Sequence, residues 1–216
     1  MYIGDNDMNS LGHEKLLLKS LEIFNNKFSD LKITDEKTID ELKRGVVDPD
    51  YKYKTKGSHY AIYDKKTDNF YNRIKSNKEN AFSNLIKYYD CAVQNNNFYY
   101  FGFALHFVMD MLTIPHATGI KIAPLFRFGR HRRYERFTAK NMEKYYVNDV
   151  DISDLLKVDI KELFKKNVDL VNGYKEKLDK AHYDEINNKM IPLILKYTVL
   201  FMYKYLNERS VSNARN

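Results

Sequence analysis

Cysteine is almost missing from this chain. Cys91 stands alone, so no intramolecular disulfide can form and the redox compartment is left open. Proline and glycine are scarce, four and eight among 216 residues, and no Pro/Gly/Ser-rich stretch divides the chain. Residues 1–216 are therefore expected to form one domain, long enough for a full core. No uninterrupted apolar run is long enough for a membrane span. Phe98–Pro115 is apolar but contains His106 and Asp110, and Met190–Leu206 is short and carries Lys196 and Lys204. Both read as buried core helices. The opening residues Met1-Tyr2-Ile3-Gly4-Asp5-Asn6-Asp7 are acidic and polar, unlike a signal peptide. A cytoplasmic location is expected for the chain as written, and an extracellular one if a leader was removed. Tryptophan does not occur at all.

Hydrophobic residues make up 44% and aromatics 14% of the chain, which excludes wholesale disorder. With 36 basic and 29 acidic residues the formal charge is +7. A basic surface suits a phosphate-bearing partner, anionic lipid or nucleic acid, although the same charge also serves solubility alone.

No segment alternates with period two, and apolar stripes at helical spacing recur. Leu16, Leu17, Leu21, Ile23 and Phe24 mark a helix over Leu11–Phe28, with Asn9 or Ser10 as N-cap. Thr34-Asp35-Glu36 opens a short helix that Gly45 closes. Val46–Asn77 reads as a long functional loop. Ala81–Gln94 and Phe98–Thr113 form a helical hairpin that Pro115 limits. Arg132–Tyr146 is amphipathic, Ile152–Lys180 holds one or two helices, and Asp184–Glu208 is a terminal helix that Pro192 kinks or splits. The ends, 1–10 and 210–216, are expected to fray. The fold class is all-α, a compact domain of seven or eight helices.

Five of the six histidines stand in a pattern with carboxylates. His106 and Asp110 are four apart, as are His131 and Glu135, so each pair shares a helix face. Asp110 lies in an apolar run, where an unpartnered carboxylate is costly. A buried ion pair that only fixes packing would meet that need too. His116 follows Pro115 and either turns back toward the same cavity or caps the turn. Asp50, His59 and His13, each taken alone, read as a turn residue, a loop residue and a helix residue. His182 fits no pattern and reads as a surface residue. Eight imidazole and carboxylate groups exceed what one zinc takes, so together they suggest two or three ions and metal-assisted chemistry on a phosphate ester.

The order of these motifs resembles the zinc-dependent phospholipase C and P1/S1 nuclease superfamily, and within it the bacterial phospholipase C branch, clostridial toxins included. The matching segments are His13-Glu14-Lys15-Leu16-Leu17, Pro49-Asp50 with His59-Tyr60, Leu105-His106-Phe107-Val108-Met109-Asp110 with Pro115-His116-Ala117, and His131-Arg132-Arg133-Tyr134-Glu135. Gly12 departs from the family's hydroxyl residue before the first histidine. The resemblance implies an all-helical fold with a zinc cleft. Asp50, His59, His106 and Asp110 would hold one Zn2+. His116, His131 and Glu135 would hold a second, and His13 with a bridging Asp110 a third. Asp50 would also be the catalytic general base or water-orienting group.

In that family an N-terminal Trp completes the third site through its amine and carbonyl. The matching position here is Ile3. Asp5, Asp7 or the amine of Met1 are the available replacements; otherwise the centre holds two ions. The toxin branch also carries a C-terminal membrane-binding domain. Here, peripheral contact with a membrane surface would fall to an aromatic rim of Tyr51, Tyr53, Tyr60, Tyr63, Phe70 and Tyr71, residues that read equally well as packing aromatics.

The resemblance implies a zinc-dependent hydrolase that cleaves phospholipids to diacylglycerol and a phosphorylated head group by metal-activated water. A single-strand nuclease with the same metals is the alternative. It would use stacking aromatics and the cluster Arg127, Arg130, Arg132, Arg133 and Arg136. A non-catalytic descendant in which zinc only holds a binding module together is a further reading.

Overall fold

The computed structural model describes residues 7–52, 58–73, 78–119 and 129–213. Among them lie nine α-helices: α1 (Asp7–Lys27), α2 (Glu36–Lys52), α3 (Ala81–Asn95), α4 (Phe98–Met111), α5 (Ile114–Thr118), α6 (Arg130–Asn141), α7 (Ile160–Lys165), α8 (Val168–Gly173) and α9 (Tyr183–Asn213). The all-α expectation stands. The count rises because α5, α7 and α8 are only five or six residues long. Both ends are helical further out than expected, since Asp7 begins α1 and Asn213 ends α9. Asn9 and Ser10 consequently lie inside α1 and do not cap it.

Helix α4 is the central element. Its residues from Phe101 to Met111 are all buried, because α2, α3 and α9 pack around it. Neighbouring sides enclose it, which explains an apolar run that is not a membrane span. No helix among the described residues is long and apolar enough to cross a membrane. Asn97 caps α4 by accepting from the amide of Tyr100, and Asn80 and Ser83 form a reciprocal capping box on α3. Phe101 stacks on Tyr205 of α9 with ring centroids 4.1 Å apart. Burying each ring stabilises the fold by roughly 2–3 kcal/mol.

Gly45 does not end α2. The helix runs on through Pro49 to Lys52. Gly45 faces Gly102 of α4 instead, and a Cβ there would come within 2.2 Å of the Tyr99 carbonyl oxygen and 2.8 Å of the Gly102 Cα. Glycine is needed for backbone-to-backbone approach, which a single sequence does not distinguish from a helix stop. Pro49 withholds the amide that would bond the Gly45 carbonyl, yet the helix continues for one more turn.

Val46–Asn77 is therefore not one loop. Beyond α2 it contains an antiparallel hairpin, β1 (Ile62–Asp64) and β2 (Asn69–Tyr71), with Tyr63 opposite Phe70. Asp68 adopts positive φ at the turn. Three-residue strands are too short to show alternation. Pro192 sits inside an unbroken α9 and does not split it.

Candidate metal centre

The eight polar residues expected at the site come from six places in the chain and meet at one cleft. His13 projects from α1, Asp50 from the end of α2, and His59 from the segment before β1. His106 and Asp110 come from α4, His116 from α5, and His131 and Glu135 from α6. In α4 and α6 the four-residue spacing stacks each His over its acid. His131 Nε2 contacts Glu135 Oε1 directly.

Asp110 is the hub. It is 1% exposed and meets four imidazoles. Its Oδ2 lies 2.8 Å from His59 Nδ1 and 3.1 Å from His106 Nε2. Its Oδ1 lies 2.8 Å from His116 Nδ1 and 3.3 Å from His13 Nε2. His13 Nδ1 in turn approaches Asp50 Oδ2 at 3.6 Å, and His116 Nε2 approaches Glu135 Oε1 at 3.6 Å. The ligating atoms of His13, Asp50 and His106 lie within 4.8 Å of one another. The same holds for His59, His106 and Asp110, and for His116, His131 and Glu135.

His59 Nδ1 hydrogen-bonds Asp110 Oδ2, but several of the other contacts are close without being hydrogen bonds. His13 Nδ1, Asp50 Oδ2, Asp110 Oδ1 and His116 Nδ1 are buried and make no hydrogen bond. Buried polar atoms are ordinarily satisfied, and each exception needs a reason. Here the unpaired atoms crowd in nitrogen–oxygen pairs, His116 Nδ1 with Asp110 Oδ1 at 2.8 Å and His13 Nδ1 with Asp50 Oδ2 at 3.6 Å, without forming hydrogen bonds. Cations seated among the three groups of His and carboxylate residues would give such atoms partners, so the residues fit metal. The donor set, imidazole nitrogen with carboxylate oxygen, is one that zinc accepts.

The His106 ring is fixed from behind. Its Nδ1 lies 2.9 Å from the carbonyl oxygen of Val46, which makes Nδ1 the donor and leaves the Nε2 lone pair facing the cleft. The Gly45–Gly102 contact brings that carbonyl into reach. Helix α6 is held by α9: the hydroxyls of Tyr134 and Thr138 both donate to Asn187 Oδ1, at 2.9 and 3.1 Å.

The electrostatics follow from burial against charge. Burial alone would depress the His13 pKa, but its contacts with Asp110 and Asp50 outweigh this and raise it to about 10. Burial likewise lifts Asp50, and attraction to His106 and then His13 overcomes it, leaving a pKa of about 2. Asp110 is held well below the carboxylate range because His116 and His106 outweigh its burial. Burial keeps the His106 pKa low. The centre demands positive charge, which protons or divalent ions can supply.

The cleft encloses about 240 Å³. Seven of the eight candidate ligands, all but His106, line it with Tyr60, and Leu16, Ala139, Met142, Ile191 and Ile194 add aliphatic lining.

A family model for zinc-dependent phospholipase C matches residues 13–198. The chain belongs to that family. Among solved structures, the alpha toxin of Clostridium absonum superposes with a TM-score of 0.70 at 20% identity, over 95% of this chain and 65% of the toxin. The alpha-toxin of Clostridium perfringens from avian strain SWCP gives 0.68 at 18% identity, over 96% of this chain and 64% of the toxin. This phospholipase C family member thus spans a little under two thirds of the length of the toxins whose fold it shares. No curated protein matched the sequence.

The remaining expected residues divide. Of the aromatic rim, Tyr60 and Phe70 are buried, Tyr51 and Tyr63 are partly buried, and Tyr71 stands exposed at 44%. Tyr53 lies outside the described residues. Arg132 and Arg133 are exposed and Arg136 is half-buried. Arg127 lies outside the described residues, and the Arg130 side chain is not described. Met1 and Asp5 also lie outside them, and Asp7 is described only as helical backbone. His182 is a surface residue bonded to Asp179. Sequence reading missed the Val46 carbonyl and Arg73, which contacts Tyr60. A backbone oxygen carries no sequence signal, and Arg73 belongs to no motif.

Proposed function

We propose that this chain is a zinc-dependent phosphodiesterase, acting as one catalytic domain, that hydrolyses phospholipids to diacylglycerol and a phosphorylated head group. The supporting observation is the convergence of five imidazoles and three carboxylates, with unpaired buried atoms, at a cleft that aliphatic side chains also line. In this reading His116, His131 and Glu135 hold one ion, and Asp50, His59, His106 and Asp110 hold a second. His13 with Asp110 and Asp50 offers a third position, giving two or three ions. When bound, zinc polarises phosphoryl oxygens and eases deprotonation of a water.

The protein's own groups do the positioning. Asp50 is the most exposed of the three carboxylates, at 22%, and is held ionised by its histidine neighbours. It accepts a hydrogen bond from the attacking water and aims it at phosphorus. The aliphatic lining takes the glycerol side of the substrate and keeps bulk water from the leaving oxygen. Peripheral contact with a membrane surface falls to the hairpin, where Tyr71 stands exposed and Lys65 and Lys66 follow β1.

The test is hydrolysis of phosphatidylcholine micelles and of single-stranded DNA by the same zinc-loaded preparation. Turnover of the lipid alone, lost in Asp50→Asn with metal content retained, supports the reading. Turnover of DNA with the lipid untouched rejects it.

A further inference from the structure

The Tyr60 ring stands edge-on to His116 and His131, with centroids 5.3 and 6.3 Å away, and is 7% exposed. Phenylalanine would fill the same space, so the hydroxyl is the feature that needs a reason. It lies 3.4 Å from His131 Nδ1. The guanidinium of Arg73, just beyond β2, donates to the same oxygen at 3.3 Å and lies over the ring face, 5.4 Å from its centroid. The backbone of the tyrosine is pinned as well: its carbonyl accepts from Ala81 and the next amide, of Ala61, donates to the His116 carbonyl.

We infer that Tyr60 and Arg73 are positioning residues for the metal held by His116, His131 and Glu135. The inference rests on the zinc reading of that group. His131 turns Nε2 toward Glu135, so an ion there takes the Nε2 lone pair and the proton stays on Nδ1. Nδ1–H then donates to the Tyr60 oxygen. Arg73 supplies a second donor to that oxygen, filling both of its acceptor sites, and its charge over the ring holds the phenol in place. Ring orientation at His131 is thus set from outside the metal shell, by a residue on the hairpin side of the molecule. The arrangement parallels the Val46 carbonyl behind His106, with a side chain in place of a backbone oxygen. Partners of this kind typically change metal affinity by roughly 10- to 100-fold when removed.

The experiment compares wild type, Tyr60→Phe, Arg73→Gln and the double variant. Each is loaded with zinc or cobalt(II) and titrated with a competing chelator, with bound metal counted by elemental analysis. Expected is one class of ion released roughly 10- to 100-fold more readily in both single variants, with its cobalt visible bands shifted and the other class unchanged. The double variant should be no worse than Tyr60→Phe, because the two residues act in series. Thermal unfolding of the metal-free forms separates the structural explanation: lowered apo stability with unaltered affinity and bands overturns the inference. Equal affinities and bands in all forms overturn it too. A wild type that holds no ion at His116, His131 and Glu135 removes the zinc reading itself, and the inference with it.

Discussion

The Val46 carbonyl oxygen lies 2.9 Å from Nδ1 of His106. Gly45 precedes the first residue and Gly102 lies one turn before the second, so the imidazole is braced at the place where α2 and α4 touch backbone to backbone.

Gly102→Ala should therefore destabilise the protein even though alanine favours helices by about 1 kcal/mol. Its Cβ would meet the Leu42 carbonyl oxygen at 2.6 Å and the Gly45 Cα at 2.8 Å, neither of which can rotate away. The expected cost is about 1–3 kcal/mol in urea unfolding of the metal-free protein, together with weaker zinc binding. Gly173→Ala, where a Cβ meets nothing within 4 Å, is the control and should be neutral or slightly stabilising.

Asp110→Asn keeps the shape of the hub and removes its charge. Four imidazoles lose their common anion. Removing one partner of a buried charged set costs about 3–5 kcal/mol, and metal content should fall for more than one ion. Elemental analysis with thermal unfolding checks both; a variant that keeps its full metal content and its melting temperature would contradict the hub role.

Chelation should lower the melting temperature and zinc should restore it. At free zinc one hundred times the dissociation constant, the gain is about 2.7 kcal/mol. Magnesium should not substitute, because it prefers oxygen ligands and five of the eight candidate ligands are imidazoles. Calorimetry with each metal in turn decides this.

Alkaline pH should unfold the protein through its buried phenols. Burial, then the bond to Asp184, pushes Tyr145 up to about 12. Burial does the same for Tyr146 and Tyr205, also to about 12. A folded-state pKa above the unfolded value of 10 means the native protein holds these protons more tightly. Their stabilising contribution is complete below pH about 10 and is lost as pH rises toward 12. Tyrosinate absorbance should lag a free-tyrosine titration and rise together with loss of helix. Tyr145→Phe should shift the transition to higher pH, and an unshifted transition would exclude Tyr145 as a contributor.

Much of the helical frame was legible because α1, α3 and α4 carry apolar residues at helical spacing, and His106–Asp110 and His131–Glu135 repeat that spacing with polar groups. The order of the histidine and acid motifs also revealed the family. What escaped depended on contacts between distant segments. Gly45 has the signature of a helix stop until Gly102 is seen against it. Pro192 has the signature of a break until the packing of α9 is known. The hairpin at 62–71 spends too few residues in strands to alternate. Tyr60 reads as one aromatic among many in its loop, and only the meeting of that loop with α6 and Arg73 gives its hydroxyl a role.

Asp110 offers one planar group to rings on both sides, Oδ2 to His59 and His106 and Oδ1 to His13 and His116. Turning either oxygen turns the other. In the proposed reading with two or three ions, a first ion that sets the carboxylate plane would pre-arrange the seat of the next. Zinc uptake should accordingly be cooperative, with a steep occupancy curve and few half-loaded molecules, so that the protein passes between empty and armed over a narrow range of free zinc.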